Sequence, residues 1–229
     1  DHEFSADMRS RPVRRISEVR ALRAAQFPED AGPLAHNVRP EQYAEINNFY
    51  TATIYEKGSE VIRMLKTLIG DEAFSKGMTL YFDRYDGTAA TVEQFISCFA
   101  ETSGRDLGQF FRWYTQAGTP TLRATSRYDA SARTLTLDLE QETAPTPGQP
   151  NKAPMVIPVA FGLVGRQGEA VAVKTGAENG ASARELEQGV LEFSTPQRRV
   201  VFTDIARECV PSLLRGFSSP VKLVSSLDE

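Results

Sequence analysis

The sequence predicts an α+β protein of two domains, a helical domain over residues 1–118 and a β-sandwich over residues 119–229. Up to Gly118 the apolar residues recur at intervals of three and four, which places one apolar stripe along each helix. After Thr119 and Pro120 the interval falls to two, as in strands with one buried face. The 229 residues suffice for two domains of the common size, about 100 to 150 residues each.

The helical half contains segments with recognisable ends. The first is predicted over residues 53–69 and stops at Gly70, because glycine tolerates the conformation that ends a helix. Its predicted apolar face consists of Ile54, Val61, Ile62, Leu65, Leu68 and Ile69. Asp71 is the expected N-cap of the next helix, which continues to Tyr85.

Two further helices complete this half. Thr91 and Gln94 have the spacing of a capping box and open a helix over residues 92–102, which Gly104 closes. Asp106 is expected to cap a last helix that runs through Tyr114 to Gly118.

The second half has the pattern of short strands separated by turns. Leu135, Leu137 and Leu139 alternate with polar residues and predict one strand. The other predicted strands are residues 122–128, 156–164, 170–174, 190–193, 199–202, 213–217 and 221–224. About seven short strands in about 105 residues is the count expected of an immunoglobulin-like sandwich. Residues 143–154 contain four prolines and are predicted to form a loop.

Composition argues against two classes of partner. The net charge of −4 is ordinary, and the basic residues between positions 9 and 23 are accompanied by acidic ones, so we expect no nucleic-acid partner. No apolar stretch approaches the roughly 20 residues of a membrane helix, and no secretory signal is recognised, so we expect no membrane partner. Cys98 and Cys209 lack metal-binding spacing and are expected to be buried free thiols.

Motifs for autonomous catalysis are missing. His2 and Glu3 begin like the zinc-binding HExxH helix, but Ala6 stands where the second histidine is needed, so we expect no metal ligands. His36 lies between prolines and is expected to be solvated. No glycine-rich nucleotide loop or serine-hydrolase elbow is found.

One helix entrance, residues 47–64, is chemically unusual. It combines Asn47, Tyr50 and Tyr55 with a Glu-Lys-Gly sequence. Composition alone indicates tyrosines packed against the core. A phenol near a polarised carbonyl could alternatively donate a hydrogen bond to a developing oxyanion, worth a few kcal/mol when preorganised.

This segment as a whole resembles the stretch that follows the zinc site in the gluzincin zinc aminopeptidases, the family of aminopeptidase N. Three more blocks carry the resemblance: Asp-His-Glu-Phe-Ser at 1–5, Arg-Trp-Tyr at 112–114 with Ala-Gly-Thr-Pro at 117–120, and Pro-Val-Lys-Leu at 220–223. It implies the helical C-terminal half of a thermolysin-like catalytic domain followed by the family's β domain. By resemblance, Tyr55 is the catalytic tyrosine that hydrogen-bonds the oxyanion, and Asn47 and Tyr50 line the substrate pockets.

The resemblance also implies a parent enzyme that removes N-terminal residues from peptides with a zinc-bound water. The HExxH helix, the distal zinc-binding glutamate and the substrate-amine loop are expected upstream of Asp1, and a helical domain downstream of Glu229. These parts and peptide substrates are the expected partners. The chain alone is expected to bind no zinc, to be inactive and to associate through exposed apolar surface. A cytoplasmic location is expected, as for the bacterial members.

Two other hypotheses remain open from the residues. The chain could be a non-catalytic binding module whose sandwich presents residues 143–154 to a protein partner. It could instead be a small hydrolase that uses Glu56 and Glu60 with Tyr55.

Overall fold

The computed structural model describes residues 2–176 and 179–226, with side chains from Phe4 onward. The predicted domain limits at Asp1 and Glu229, and the side chains of His2 and Glu3, lie outside the described residues. The chain divides into two compact units, Asp1–Gly118 with Pro145–Asn151, and Thr119–Ala144 with Lys152–Glu229. The first unit is helical and the second is built from strands, which confirms the α+β class.

Helices form the first unit. They are α1 (His2–Asp7), α2 (Arg11–Ala21), α3 (Phe27–Asp30), α4 (Gly58–Ile69), α5 (Asp71–Tyr85), α6 (Val92–Ser103) and α7 (Arg112–Thr115). Two π-helices, Leu22–Gln26 and Thr53–Lys57, continue directly into α3 and α4. A 3₁₀ turn occupies Ile46–Phe49.

An aromatic cluster holds α5 against α6. The Phe99 ring is fully buried and lies 5.0 Å from the Phe74 ring and 4.7 Å from the Phe95 ring, measured between centroids. Gly77 of α5 permits this approach, because a Cβ at this position would lie 2.4 Å from Phe99 Cδ1. The glycine therefore serves packing rather than a turn.

The helix ends confirm some predictions and correct others. Thr91 and Gln94 form the capping box, with the Gln94 N–H 3.2 Å from Thr91 Oγ1 and the Thr91 N–H 2.8 Å from Gln94 Oε1. Asp71, predicted as an N-cap, is instead the first residue of α5, because Gly70 at φ 88° ends α4 and begins α5.

The last helix of the first unit is shorter than predicted. Asp106 accepts the N–H of Gly108 at 2.7 Å, and turns follow until the four residues of α7. The residues of α4 that were predicted to form its apolar face are buried, except Ile62, which is 38% exposed.

Eight strands are identified in the described part of the second unit. They are β1 (Thr121–Asp129), β2 (Thr134–Glu142), β3 (Ile157–Gly165), β4 (Ala170–Val171), β5 (Val190–Phe193), β6 (Gln197–Phe202), β7 (Cys209–Leu213) and β8 (Lys222–Ser225). One sheet has the order β6-β2-β1-β8, and in the other β3 pairs with β4, β5 and β7. Alternate residues of both sheets are buried, including Leu137 of β2 and Val159 of β3. The immunoglobulin-like sandwich is thus confirmed.

The strand predicted over residues 213–217 lies earlier, as β7. Leu214 and Phe217 have φ of 52° and 54°, values outside the extended region, so the strand ends at Leu213. A short helix, α8 (Ala183–Gln188), was not predicted, although Ser182 and Glu185 form a capping box at its start.

Cys98 and Cys209 are free and buried, as expected. Among the described residues no helix has the length and apolar character to cross a membrane.

Candidate functional site

The helix entrance predicted as a site changes conformation three times within ten residues. The 3₁₀ turn ends at Phe49, and Tyr50 follows with φ −87° and ψ 68° while the Thr51 N–H bonds the Phe49 carbonyl at 3.0 Å. These values describe an inverse γ-turn centred on Tyr50. The chain then enters the π-helix Thr53–Lys57, whose i to i+5 bond joins the Gly58 N–H to the Thr53 carbonyl.

This path brings Tyr50 and Tyr55 together on the surface. Their ring centroids lie 6.2 Å apart with an interplanar angle of 23°, so the rings are stacked. Tyr50 is 59% exposed and Tyr55 is 58% exposed. The composition-based expectation that these tyrosines pack into the core is therefore wrong, because both lie at the surface of this chain.

Asn47 lies on the 3₁₀ turn, three residues before Tyr50, and is exposed. Its amide donates to Glu45 Oε1 at 2.9 Å, and its carbonyl accepts the Tyr50 N–H at 3.4 Å. Asn47 thus shares a turn with Tyr50, while its side chain is bonded to Glu45.

Side chains from α3 bind both ends of the π-helix that carries Tyr55. At its start, Glu29 Oε1 accepts the Thr53 N–H at 2.9 Å and the Thr53 hydroxyl at 2.5 Å. At its end, Lys57 Nζ donates to Asp30 Oδ2 at 2.8 Å. The adjacent carboxylates Glu29 and Asp30 therefore contact the first and last residues of the same π-helix.

The Lys57 and Asp30 pair is buried, with both side chains only 1% exposed. Lys57 also donates to the Gly118 carbonyl at 2.9 Å, and its ammonium lies 6.0 Å from the centroid of the Trp113 ring. Asp30 Oδ1 accepts the Gly118 N–H at 3.3 Å. Such a pair is tolerable in the interior because additional hydrogen bonds satisfy both charged groups.

His36, which was predicted to be solvated, is 26% exposed and is hydrogen-bonded within this region. Its Nδ1 lies 2.9 Å from the Asn37 carbonyl, so Nδ1 carries the hydrogen and donates. In the neutral form Nε2 then accepts from the Thr51 hydroxyl at 3.0 Å. The same Thr51 oxygen accepts the Ile54 N–H at 3.3 Å, which caps the helix entrance.

Glu60, one carboxylate of the small-hydrolase hypothesis, is held in an ion pair. Glu60 is buried and accepts two contacts from Arg15 of α2, one of them at 2.6 Å. Burial opposes the charge of Arg15, but the hydrogen bond and the charge of Glu60 outweigh it and raise the pKa of Arg15. This ion pair occupies Glu60 and gives the hypothesis no support.

One side chain anchors the proline-rich loop of the binding-module hypothesis. Within the first unit, Gln149 Oε1 accepts the Ala117 N–H at 2.8 Å, and its amide donates to the Thr115 carbonyl at 2.9 Å. Gln149 anchors the middle of the loop, while Pro145, Pro147 and Pro150 beside it are exposed.

A pocket of about 410 Å³ lies beside the tyrosine pair. Its lining includes Glu29, His36 and Thr51 together with Phe49, whose ring lies 5.9 Å from Tyr50. No group of three histidine, cysteine, aspartate or glutamate side chains among the described residues is arranged to hold a metal ion. The described side chains therefore do not fit a zinc site.

The sequence interpretation missed Glu29, Asp30 and Lys57 as a group. It predicted no helix at Phe27–Asp30, which forms α3 and supplies both carboxylates. The available signal was Lys57, which lies at helical spacing from the apolar residues Ile54 and Val61. A lysine buried on such a face requires an acidic partner.

Comparisons with known proteins give the family context. Residues 5–114 match the peptidase family M1 domain, and residues 118–226 match a domain of unknown function (DUF3458) with an Ig-like fold. Aminopeptidase N of Caulobacter vibrioides is 55% identical over 223 residues, and that of Escherichia coli (strain K12) is 44% identical over 223 residues. Both alignments cover 97% of this chain, but 24% and 25% of the relatives.

A solved structure has a similar fold. The crystal structure of Legionella pneumophila aminopeptidase A in complex with aspartic acid matches with a TM-score of 0.68 and 28% identity. The match covers 89% of this chain and 23% of that one. The chain thus spans about a quarter of the length of these relatives.

Proposed function

Because this chain belongs to peptidase family M1, we propose that it is a segment of a zinc aminopeptidase that removes N-terminal residues from peptides. The exposed phenol of Tyr55 next to Tyr50 is the observation that carries the proposal. The family relationship supports a parent peptidase, and the roles of individual residues rest on the resemblance and the local geometry.

In the proposed reaction Tyr55 donates its O–H to the oxyanion that forms when the peptide carbonyl is attacked. A hydrogen bond directed at this oxygen is stronger in the transition state than in the ground state, so it accelerates the chemical step. Tyr50 and Asn47 line the pockets for the residues flanking the scissile bond. Zinc, which supplies the activated water in this family, is held in the proposal by the rest of the parent enzyme.

The test is Tyr55→Phe in the full-length parent. Loss of one oxyanion donor should lower kcat about 10²-fold to 10³-fold with little change in KM. Tyr85→Phe is the matched control, because this partly exposed tyrosine lies on α5 and has no proposed role. Equal kcat values for Tyr55→Phe and the wild type would refute the proposed role.

We also propose that the 229-residue chain alone is inactive and binds no stoichiometric zinc. The purified chain would be dialysed, its zinc measured and its hydrolysis of aminoacyl anilides followed. One zinc per chain with chelator-sensitive activity would refute this part. Its exposed apolar side chains, including Phe4, Met8 and Val13, support association of the isolated chain, which light scattering would detect.

A cytoplasmic location of the parent is proposed from the resemblance to bacterial members. Cell fractionation of the source organism, with the parent followed by immunoblot, tests it. Recovery in the periplasmic or membrane fraction would contradict it.

A further inference from the structure

The backbone that carries Tyr55 has an uncommon conformation. π-Helices are rare and occur mostly as single turns, often at functional sites. Tyr55 is the middle residue of the π-helix Thr53–Lys57, and more than half of its side chain is exposed. Its position therefore depends on the backbone of that π-helix together with the stacked ring of Tyr50.

Side chains of neighbouring residues bind this π-helix at both ends. Glu29 binds Thr53 through two hydrogen bonds, and Asp30 binds Lys57 through a buried ion pair. Gln26 adds a hydrogen bond from its amide to the Thr53 hydroxyl at 3.3 Å. All three side chains come from residues 26–30.

The segment that supplies these contacts is itself fixed. Phe27 is buried, and its N–H bonds the Leu22 carbonyl in the preceding π-helix. Asp30 is bonded to the Gly118 N–H as well as to Lys57. The contacts to the π-helix therefore come from an anchored segment rather than from a free loop.

We propose that Glu29 and Asp30 are positioning residues that hold the π-helix and thereby place the phenol of Tyr55. This inference rests on the proposed function of Tyr55. Neither carboxylate is required to touch the substrate. A displacement of about 1 Å at a reacting group can lower the rate about 10²-fold. Loss of a contact at Thr53 should therefore lower the rate by shifting the π-helix and, with it, the phenol of Tyr55.

Glu29 is the residue to vary, because its side chain is 25% exposed and its loss leaves the buried Lys57 and Asp30 pair intact. In the full-length parent, Glu29→Ala is expected to lower kcat about tenfold with KM unchanged within about twofold. Glu29→Gln keeps an oxygen that accepts the Thr53 N–H and is expected to restore most of kcat. Glu41→Ala, an exposed carboxylate in the nearby loop, is the control and is expected to leave kcat unchanged.

A double-mutant cycle with Tyr55→Phe separates positioning from a general structural role. If Glu29 acts through Tyr55, Glu29→Ala changes kcat by less than about twofold in the Tyr55→Phe background. An equal loss in both backgrounds, or no loss in the wild-type background, overturns the proposal. Thr53→Val, which replaces the hydroxyl with a methyl group and keeps the backbone N–H, is the second variant and is expected to show a smaller loss with the same dependence on Tyr55.

The single variant Tyr55→Phe distinguishes the two proposals. If it leaves kcat unchanged, the proposed function fails before any Glu29 variant is made, and the positioning role falls with it. If it lowers kcat but the Glu29 effect is additive, only the positioning role is refuted.

Discussion

Replacing Lys57 with methionine should destabilise the first unit strongly. Methionine keeps the apolar stem but removes the donor to Asp30 and to the Gly118 carbonyl, which lie 2.8 Å and 2.9 Å from Nζ. Each hydrogen bond to a charged group contributes about 1.5 to 3 kcal/mol, and the variant leaves the Asp30 carboxylate buried without its cation. The expected loss in the free energy of unfolding is about 3 to 5 kcal/mol.

Urea unfolding of the chain, followed by fluorescence, measures this loss. Trp113 is the single tryptophan of the chain, it is fully buried, and it lies next to Lys57, so its emission reports on this unit. A loss below about 1 kcal/mol would refute the reasoning from the buried pair.

Two variants complete the experiment. Lys76→Met breaks an exposed pair with Glu72, at 2.6 Å, and should leave the free energy of unfolding nearly unchanged, because solvent screens this pair. The double variant Lys57→Met with Asp30→Leu removes both charges and should recover part of the stability lost in the single variant, although the Gly118 N–H loses its acceptor.

Two further predictions concern other parts of the chain. Burial alone would raise the pKa of Glu185, but hydrogen bonds from Arg198 and from two backbone N–H groups lower it to about 2. Its stabilisation is therefore complete above its ordinary pKa of 4.5 and is lost as the pH falls toward 2. As the pH falls from 4.5 to 2, the free energy of unfolding of the wild type, measured with urea, should fall by about 2 kcal/mol more than that of Glu185→Gln. Parallel plots of the two free energies against pH would contradict this. Gly77→Ala should destabilise the chain by about 1 to 3 kcal/mol in thermal unfolding, because the new Cβ meets the buried Phe99 ring. This loss is expected despite the higher helix propensity of alanine. Ser75→Ala, at an exposed position of the same helix, should not destabilise the chain.

Predictions based on neighbouring residues were the most successful. The capping box at Thr91, the stop at Gly70 and the alternation of Leu135, Leu137 and Leu139 each depend on groups within a few positions. Ser182 and Glu185 carry the same local signal at the start of α8. The strand predicted over residues 213–217 lies earlier in the structure, as β7, because Leu214 and Phe217 have positive φ. Positive φ is usually signalled in a sequence by glycine, and neither position is a glycine.

At the candidate site, too, local features could be predicted from the sequence and long-range contacts could not. The sequence could single out Asn47, Tyr50 and Tyr55, and their functional roles stay predictions. It did not reveal the stacked and exposed arrangement of the two tyrosines, because tyrosines on a helix are compatible with either a core or a surface position. The pairing of Lys57 with Asp30 joins residues 27 positions apart, and no local pattern encodes that distance.

By itself the sequence determined the two-part α+β architecture, several helix ends and the family resemblance, because apolar spacing, capping groups and motifs are local properties of the chain. Only the tertiary structure decided that Tyr55 lies on a π-helix bound at both ends by Glu29 and Asp30. A π-helix is uncommon in isolation and is stabilised here by side chains distant in sequence, so its position emerges only when α3 and α4 are brought together in the fold.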